Sequence, residues 1–199
     1  ANGILDSLGL KKGPDGIRRF PDGKPVEFNL LTWSNSPTMS GIAVIYQKDL
    51  QKIGIKLNLQ ILDISVAYQM ALAGNFDAAL LSWGDQPDPA LRTPIWSPGY
   101  PLYIVHLSTM DSKSQKPLFD HMMWWEKIVY NDFAEGQAQM TLAERVKYYY
   151  QWEEIYATEI PYIFVAVPNT LIAVQNKIGN FFVAPNGQLA FTTYTTYLK

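Results

Sequence analysis

Between Val26 and Trp83 the chain changes its hydrophobic period four times, and that succession admits few folds. Val26 to Thr32 puts Val26, Phe28 and Leu30 on one face, the two-residue repeat of a strand. Ser36-Pro37 opens a helix running to about Ile53. Its expected buried stripe is Ile42, Ile45, Tyr46, Leu50 and Ile53, and Gly54 stops it. Ile55 to Leu62 alternates again through Ile55, Leu57, Leu59 and Ile61. Val66 to Ala73 reads as a short helix ended by Gly74. Phe76 to Trp83 is nearly all apolar, as expected of a strand covered on both faces. Strand–helix–strand–helix–strand implies right-handed crossovers and a mainly parallel sheet flanked by helices, an α/β class.

That order also says where function should sit. In open α/β sheets ligands gather at the carboxyl ends of the strands. Those ends carry Trp33-Ser34-Asn35, then Asp63, then Trp83-Gly84-Asp85, with Gln86 and Asp88 close behind. Aromatic and polar side chains are therefore expected where ligand contacts form.

The rest of the chain reads less regularly. Ile4 to Leu10 is the end of a helix, with Gly9 near its cap, and Lys12 to Lys24 is a turn-rich loop. Gln86 to Thr109 is Pro-rich, a long loop with room for one helical turn. Pro117 to Asn131 is expected to be a helix with Leu118, Met122, Trp125 and Val129 on one face. Thr141-Leu142-Ala143-Glu144 is a capping box that starts a helix reaching about Thr158. Ile163–Val167 and Leu171–Val174 look like two further strands, and the tail after Gly187 is β-prone.

Composition excludes several classes. The 199 residues suit one sizeable α/β domain, or at most two small ones. Sixteen basic residues against eighteen acidic, with no Lys/Arg run, leave no footprint for nucleic acid. There is no cysteine, hence no disulfide and no thiolate chemistry. The two histidines, His106 and His121, lack metal-ligand spacing, so no metal and no cofactor is expected. Six tryptophans exceed what a core of this size needs, so some should face a ligand. Trp125 and Trp152 fall on helical core stripes, whereas Trp124 lies off its stripe. Ala1 to Leu5 lacks a basic stretch followed by an apolar run, so no export signal is expected within this stretch of chain.

Four segments together resemble the peptide-type solute-binding proteins, family 5, of ATP-binding-cassette importers. They are Pro14-Asp15-Gly16-Ile17-Arg18 leading to Pro21-Asp22-Gly23-Lys24-Pro25; Tyr46 to Leu57; Gly74-Asn75-Phe76-Asp77 through Trp83 to Asp88-Pro89; and Glu159-Ile160-Pro161-Tyr162-Ile163 after a long helix. The resemblance implies a periplasmic-binding-protein-like lobe from a protein of two hinged lobes that close on a ligand and present it to a membrane permease. Residues 1–199 would be the second, C-terminal lobe, with about 176–199 returning toward a first lobe. The implied location is periplasmic or extracellular, with any signal or membrane anchor in the N-terminal part. The implied partners are the permease subunits, the N-terminal lobe and a small oligosaccharide or peptide.

The resemblance also bears on the ligand. Peptide-binding relatives carry Trp-x-x-Asp-x-x-(Asp/Glu)-Pro, whose first acid holds the peptide amino group. Counting back from Pro89 puts Asp85 there; counting forward from Trp83 leaves the loop one residue short. Neither Thr32 to Ser40 nor Ala67 to Trp83 contains an arginine for a peptide carboxylate. Neutral sugars ask instead for aromatic faces and Asp, Asn and Gln side chains. Trp33, Ser34, Asn35, Trp83, Asp85, Gln86 and Asp88 supply that kit, with Trp96 and Tyr100 as further candidates. An oligosaccharide is the favoured ligand on this reading and a peptide the alternative. A glycoside hydrolase is the rival of another class; it would need two carboxyls astride one bond, and Asp63, Asp85 and Asp88 are the candidates. No Gly-x-Ser-x-Gly elbow, P-loop or dinucleotide fingerprint is present, so no catalytic residue is assigned.

Overall fold

A computed structural model describes residues 1–84, 86, 88–166, 173–182 and 196–198. It divides into two compact units, Ala1–Trp83 and Gly84–Lys199. No helix among the described residues is long and apolar enough to cross a membrane.

The first unit opens with α1 (Asn2–Ser7) and a two-residue antiparallel pairing of β1 (Lys11–Lys12) with β2 (Arg18–Arg19). Then come β3 (Glu27–Trp33), α2 (Pro37–Lys52), β4 (Lys56–Leu62), α3 (Ile64–Leu72) and β5 (Ala78–Ala79). The three later strands form a parallel sheet in the order β4-β3-β5, with Glu27 opposite Lys56, Trp33 opposite Leu62 and Leu30 opposite Ala78. This is the expected α/β arrangement. The register sends Phe28, Leu30, Leu57 and Leu59 to one face, where they pack with Ala43 and Leu50 of α2. Leu31 and Trp33 point to the other face, where α3 brings Tyr68 against Trp33.

The contact stripe of α2 differs from expectation. Met39 and Ala43 are buried, while Ile45 is 63% exposed and Tyr46 39%. The stripe continues through Gln47, whose Nε2 donates to the Leu57 carbonyl at 2.7 Å. A polar residue on the contact face, placed there for a backbone acceptor, hides the true period from a hydrophobicity reading. Similarly, α3 begins two residues early because Asp63 accepts the Ser65 N–H at 2.8 Å as N-cap. The strand expected from Phe76 to Trp83 shortens to Ala78–Ala79, extended by Leu80 N–H donating to the Leu31 carbonyl at 2.8 Å.

Arg18 ties this unit's entry together. It is 2% exposed, and its guanidinium donates to the Ile53 carbonyl, Asp6 Oδ1, the Leu10 carbonyl and Asn2 Oδ1 at 2.5–2.7 Å. A buried cation is tolerable because oxygens from α1, the following loop and the end of α2 surround it. Gly54, at φ 85°, turns the chain between α2 and β4 where a Cβ would meet the Gly16 carbonyl at 2.8 Å.

The described part of the second unit is built around helices and turns. A 3-10 turn over Pro89–Arg92 leads to α4 (Thr93–Trp96), and further 3-10 turns occupy Leu107–Thr109 and Phe119–His121. The core is a helix hairpin, α5 (Trp124–Ala138) and α6 (Leu142–Glu159). Tyr103, Trp125, Val129, Phe133, Tyr149, Trp152 and Tyr156 form one buried cluster. The core placement of Trp125 and Trp152 agrees with the sequence, and Trp124 is 66% exposed. The helix expected at Pro117 starts seven residues later. Its N-terminus is built by Glu126, which accepts the Met123 N–H at 2.9 Å, a cap with no Ser, Thr, Asp or Asn to announce it. Thr141 caps α6 as expected, accepting the Glu144 N–H. The expected strand at Ile163–Val167 has no strand over residues 163–166, nor has 173–174 of the expected Leu171–Val174; Val167, Leu171 and Ile172 lie outside the described residues. Ile178–Gly179 (β6) and Tyr197–Leu198 (β7) pair antiparallel.

Candidate functional site

The carboxyl end of the parallel sheet in the first unit carries three aromatic rings in contact, one pair stacked and the other edge to face. Trp33, the last residue of β3, lies nearly parallel to Tyr68 of α3, centroids 5.8 Å apart at 14°. Tyr68 meets Trp83 edge to face, again at 5.8 Å, with planes at 79°. α3 approaches the sheet closely because Ala67 and Ala71 occupy its contact stripe, and that approach lays the neighbouring Tyr68 flat. Trp33 is 6% exposed and serves as the base of the stack; Tyr68 and Trp83 are half-buried. Ser34 and Asn35 follow Trp33 and are exposed, with the Ser34 N–H held by the Leu62 carbonyl at 2.8 Å. The arrangement combines two half-buried aromatic rings with exposed hydroxyl and amide groups that follow Trp33 in sequence, a set of groups suited to a ligand with flat apolar surfaces and polar edges.

A shallow cavity of about 260 Å³ lies toward the opposite end of the sheet, lined by Asn29, Gln60, Gly74, Asn75, Phe76 and Asp77. Asp77 Oδ2 accepts both the backbone N–H and the side-chain Nδ2 of Asn29 at 2.9 Å, a lock between β3 and the loop before β5. Nearby, the Lys56 ammonium and the Asn58 amide hold the Glu27 carboxyl below its ordinary range. The cavity is thus bordered by a structural polar network, and strand direction favours the aromatic end as the site.

In the second unit Gln86 is exposed, and Asp88 is already engaged. Its Oδ1 accepts the Ala90 N–H at 2.9 Å, capping the 3-10 turn, and its Oδ2 lies 2.5 Å from Arg145 Nη2. Arg92 Nη2 donates to the Gly84 carbonyl at 2.8 Å. Asp85 lies outside the described residues. With Asp63 capping α3 and Asp88 bound to Arg145, two of the three carboxyls a hydrolase would use already have structural duties. Among the described residues no three His, Asp or Glu side chains converge as metal ligands. His121 Nδ1 donates to the Ser108 carbonyl at 2.8 Å.

The other sugar-platform candidates belong to the second unit's own packing. Trp96 sits against Trp152, Tyr162 and Phe164, and Tyr100 stacks on Tyr130. Burial raises the Tyr100 phenol above its usual pKa. Three residues escaped the sequence reading. For Tyr68 the one available signal is the small pair Ala67 and Ala71, which marks the helix face turned to the sheet. Arg92 and Arg145 gave no such signal, because Arg145 is 57 positions from Asp88 and only the fold brings them together.

Residues 1–99 match the family model for bacterial extracellular solute-binding proteins, family 5 Middle. Over 177 residues the chain is 27% identical to oligopeptide-binding protein AppA of Bacillus subtilis (strain 168), covering 84% of this chain and 28% of that protein. The solved structure of that protein with a nonapeptide superposes with a TM-score of 0.67 at 22% identity, covering all of this chain and 36% of that one. Di/tripeptide-binding protein 4 of Pseudomonas aeruginosa (strain UCBPP-PA14) is 26% identical over 162 residues, 79% of this chain and 28% of that protein. The periplasmic binding protein MelB of Agrobacterium fabrum C58, solved with stachyose, has the same fold at a TM-score of 0.68 and 20% identity, covering 80% of this chain and 24% of that one. The chain spans 28% of the length of both curated relatives.

Proposed function

We propose, for a chain that belongs to the bacterial extracellular solute-binding proteins of family 5, that it is the second lobe of a two-lobed binding protein that closes on a short peptide. The observation that carries this reading is the Trp33–Tyr68–Trp83 stack at the carboxyl ends of the parallel strands, with exposed Ser34 and Asn35 next to it in sequence. Tyr68 and Trp83 supply contact area, and Ser34 and Asn35 supply hydrogen bonds to a peptide's amides. Asp85 and Gln86, which follow Trp83 in sequence, are proposed as further ligand contacts. Closure of a facing lobe buries the ligand, and the closed form delivers it to the permease of an ATP-driven importer outside the cytoplasm.

The peptide replaces the oligosaccharide that the residue kit alone favours, because both curated relatives are named for peptides. The missing arginines then bear on how the peptide is held. A ligand gripped along its backbone and side chains needs no guanidinium for its terminal carboxylate. The sugar reading is retained for one reason: Tyr68 and Trp83 beside Ser34 and Asn35 would also stack a sugar ring and bond its hydroxyls, and MelB of the same fold was solved with stachyose.

Isothermal titration of the two-lobed protein with trialanine, a nonapeptide and stachyose separates the readings. Peptide binding that weakens at least about tenfold in Trp83→Ala, the loss of one well-placed aromatic contact, supports the proposal. Binding of stachyose alone replaces the peptide with the sugar. Turnover of either ligand would overturn the binding-protein reading altogether.

A further inference from the structure

The segment that carries Gly84, Gln86 and Asp88 is held at both ends by arginine. Arg92 Nη2 grips the Gly84 carbonyl at 2.8 Å, and Arg145 Nη2 pairs with Asp88 Oδ2 at 2.5 Å. Asp88 is also fixed through its Oδ1 on the Ala90 N–H. The side chains of Asp88 and Arg145 are 26% and 25% exposed, so the pair is mostly shielded from water. Both Nε atoms, of Arg92 and of Arg145, are buried without a hydrogen-bond partner among the described residues. Each arginine thus has one nitrogen engaged by this segment, Arg92 on the Gly84 carbonyl and Arg145 on Asp88.

Charge makes the arrangement more than a brace. An unpaired Asp88 carboxylate three residues beyond Asp85 would attract the ammonium group of a peptide. With a guanidinium already in contact, an approaching ammonium meets a neutral pair and a like charge behind it. We infer that Arg145 is a specificity-determining residue: by pairing with Asp88 it withdraws one carboxylate from ligand recognition, while Arg92 holds the Gly84 carbonyl. The inference rests on the proposed role of this loop in binding a solute.

The test is an NMR titration of the 199-residue chain with trialanine and with N-acetyl-trialanine, in the unaltered chain, Arg145→Gln and Arg145→Lys. Freeing Asp88 in Arg145→Gln shifts preference toward the free amine by about threefold, the scale of one partly exposed charge pair. Arg145→Lys, which keeps the cation, leaves the preference as in the unaltered chain. Equal weakening of both peptides in Arg145→Gln overturns the specificity role and leaves a structural clamp. Amide exchange supplies the second arm. Arg145→Gln accelerates exchange of the Ala90 N–H if the clamp holds the loop, and unchanged exchange overturns the clamp itself. If the unaltered chain binds neither peptide, the ligand reading of the loop falls and the specificity role with it, while the exchange arm still decides the clamp.

Discussion

The two units build their interiors from different materials. In Ala1–Trp83 the contact between sheet and α2 is aliphatic and thin, with Leu30, Leu57 and Ala43 at its centre. In Gly84–Lys199 the contact between α5 and α6 is aromatic: Phe133 alone meets Tyr149 at 5.6 Å and Trp152 at 5.1 Å. Aromatic side chains therefore mean different things in the two regions. Those of the second unit build its core, whereas Tyr68 and Trp83 of the first are half-buried rings near the strand ends, against the buried Trp33. The units also differ in how they bury charge. Arg18 reaches four oxygens, but Asp132 of α5 is 4% exposed and its Oδ2 has no partner among the described residues.

The sharpest way to break this comparison is to empty each core. Phe133→Ala should cost about 3–5 kcal/mol in urea unfolding, and Leu57→Ala in the aliphatic unit about 2–4 kcal/mol. A smaller loss at Phe133 than at Leu57 would deny the aromatic hairpin its dominant role.

Next comes the buried acid that is well served. Glu126 is fully buried and accepts from the Tyr103 hydroxyl at 3.0 Å, from His106 Nδ1 at 2.8 Å and from the Met123 N–H at 2.9 Å. Burial, with Tyr156 and Glu126 alongside, drives the Tyr103 phenol far above its ordinary pKa, so it stays a donor. Glu126→Ala strands these donors and removes the N-terminal cap of α5, and should cost about 3 kcal/mol by thermal or urea unfolding. A near-neutral result would mean that water reaches this network.

Asp132 should behave in the opposite sense. Burial pushes its carboxyl from the ordinary 3.8 up to about 6. A folded pKa above the unfolded one means that the native state holds the proton more tightly. The group is therefore harmless below about pH 4 and increasingly destabilising as pH rises through 6. Asp132→Asn should match the parent near pH 4 and exceed it by about 2 kcal/mol at pH 7.5. A constant difference across that range would show that the carboxyl finds a partner. At the small end, Lys52→Ala removes an exposed pair with Asp49 and should change stability by no more than about 0.5 kcal/mol.

Much of the first unit could be read from its periodicities, because strand order and alternation respond to the same burial that shapes the sheet. What failed there failed for polar reasons. Gln47 sits on the contact face of α2 to satisfy a strand carbonyl, so the apolar residues Ile45 and Tyr46 misled the stripe. The second unit was harder. α5 has Met123 as its N-cap, a residue no capping rule favours there, with Glu126 at the third helical position closing back on the Met123 N–H, and Pro117 suggested a start seven residues too early. At the candidate site, Trp33 and Trp83 were visible because strand ends were visible. Tyr68 depended on the rotation of a nine-residue helix, and Arg145 on a tertiary contact that leaves no trace in local pattern.

The central claim is that Tyr68 and Trp83 meet the solute while the remaining exposed aromatics do not. Indole N–H signals of the chain, assigned by Trp→Phe substitution and followed during trialanine titration, test it directly. The account predicts that Trp83 shifts with saturation, that buried Trp33 follows weakly through Tyr68, and that Trp124, 66% exposed on the other unit, stays fixed. Movement of Trp124 with Trp83 unchanged would contradict it.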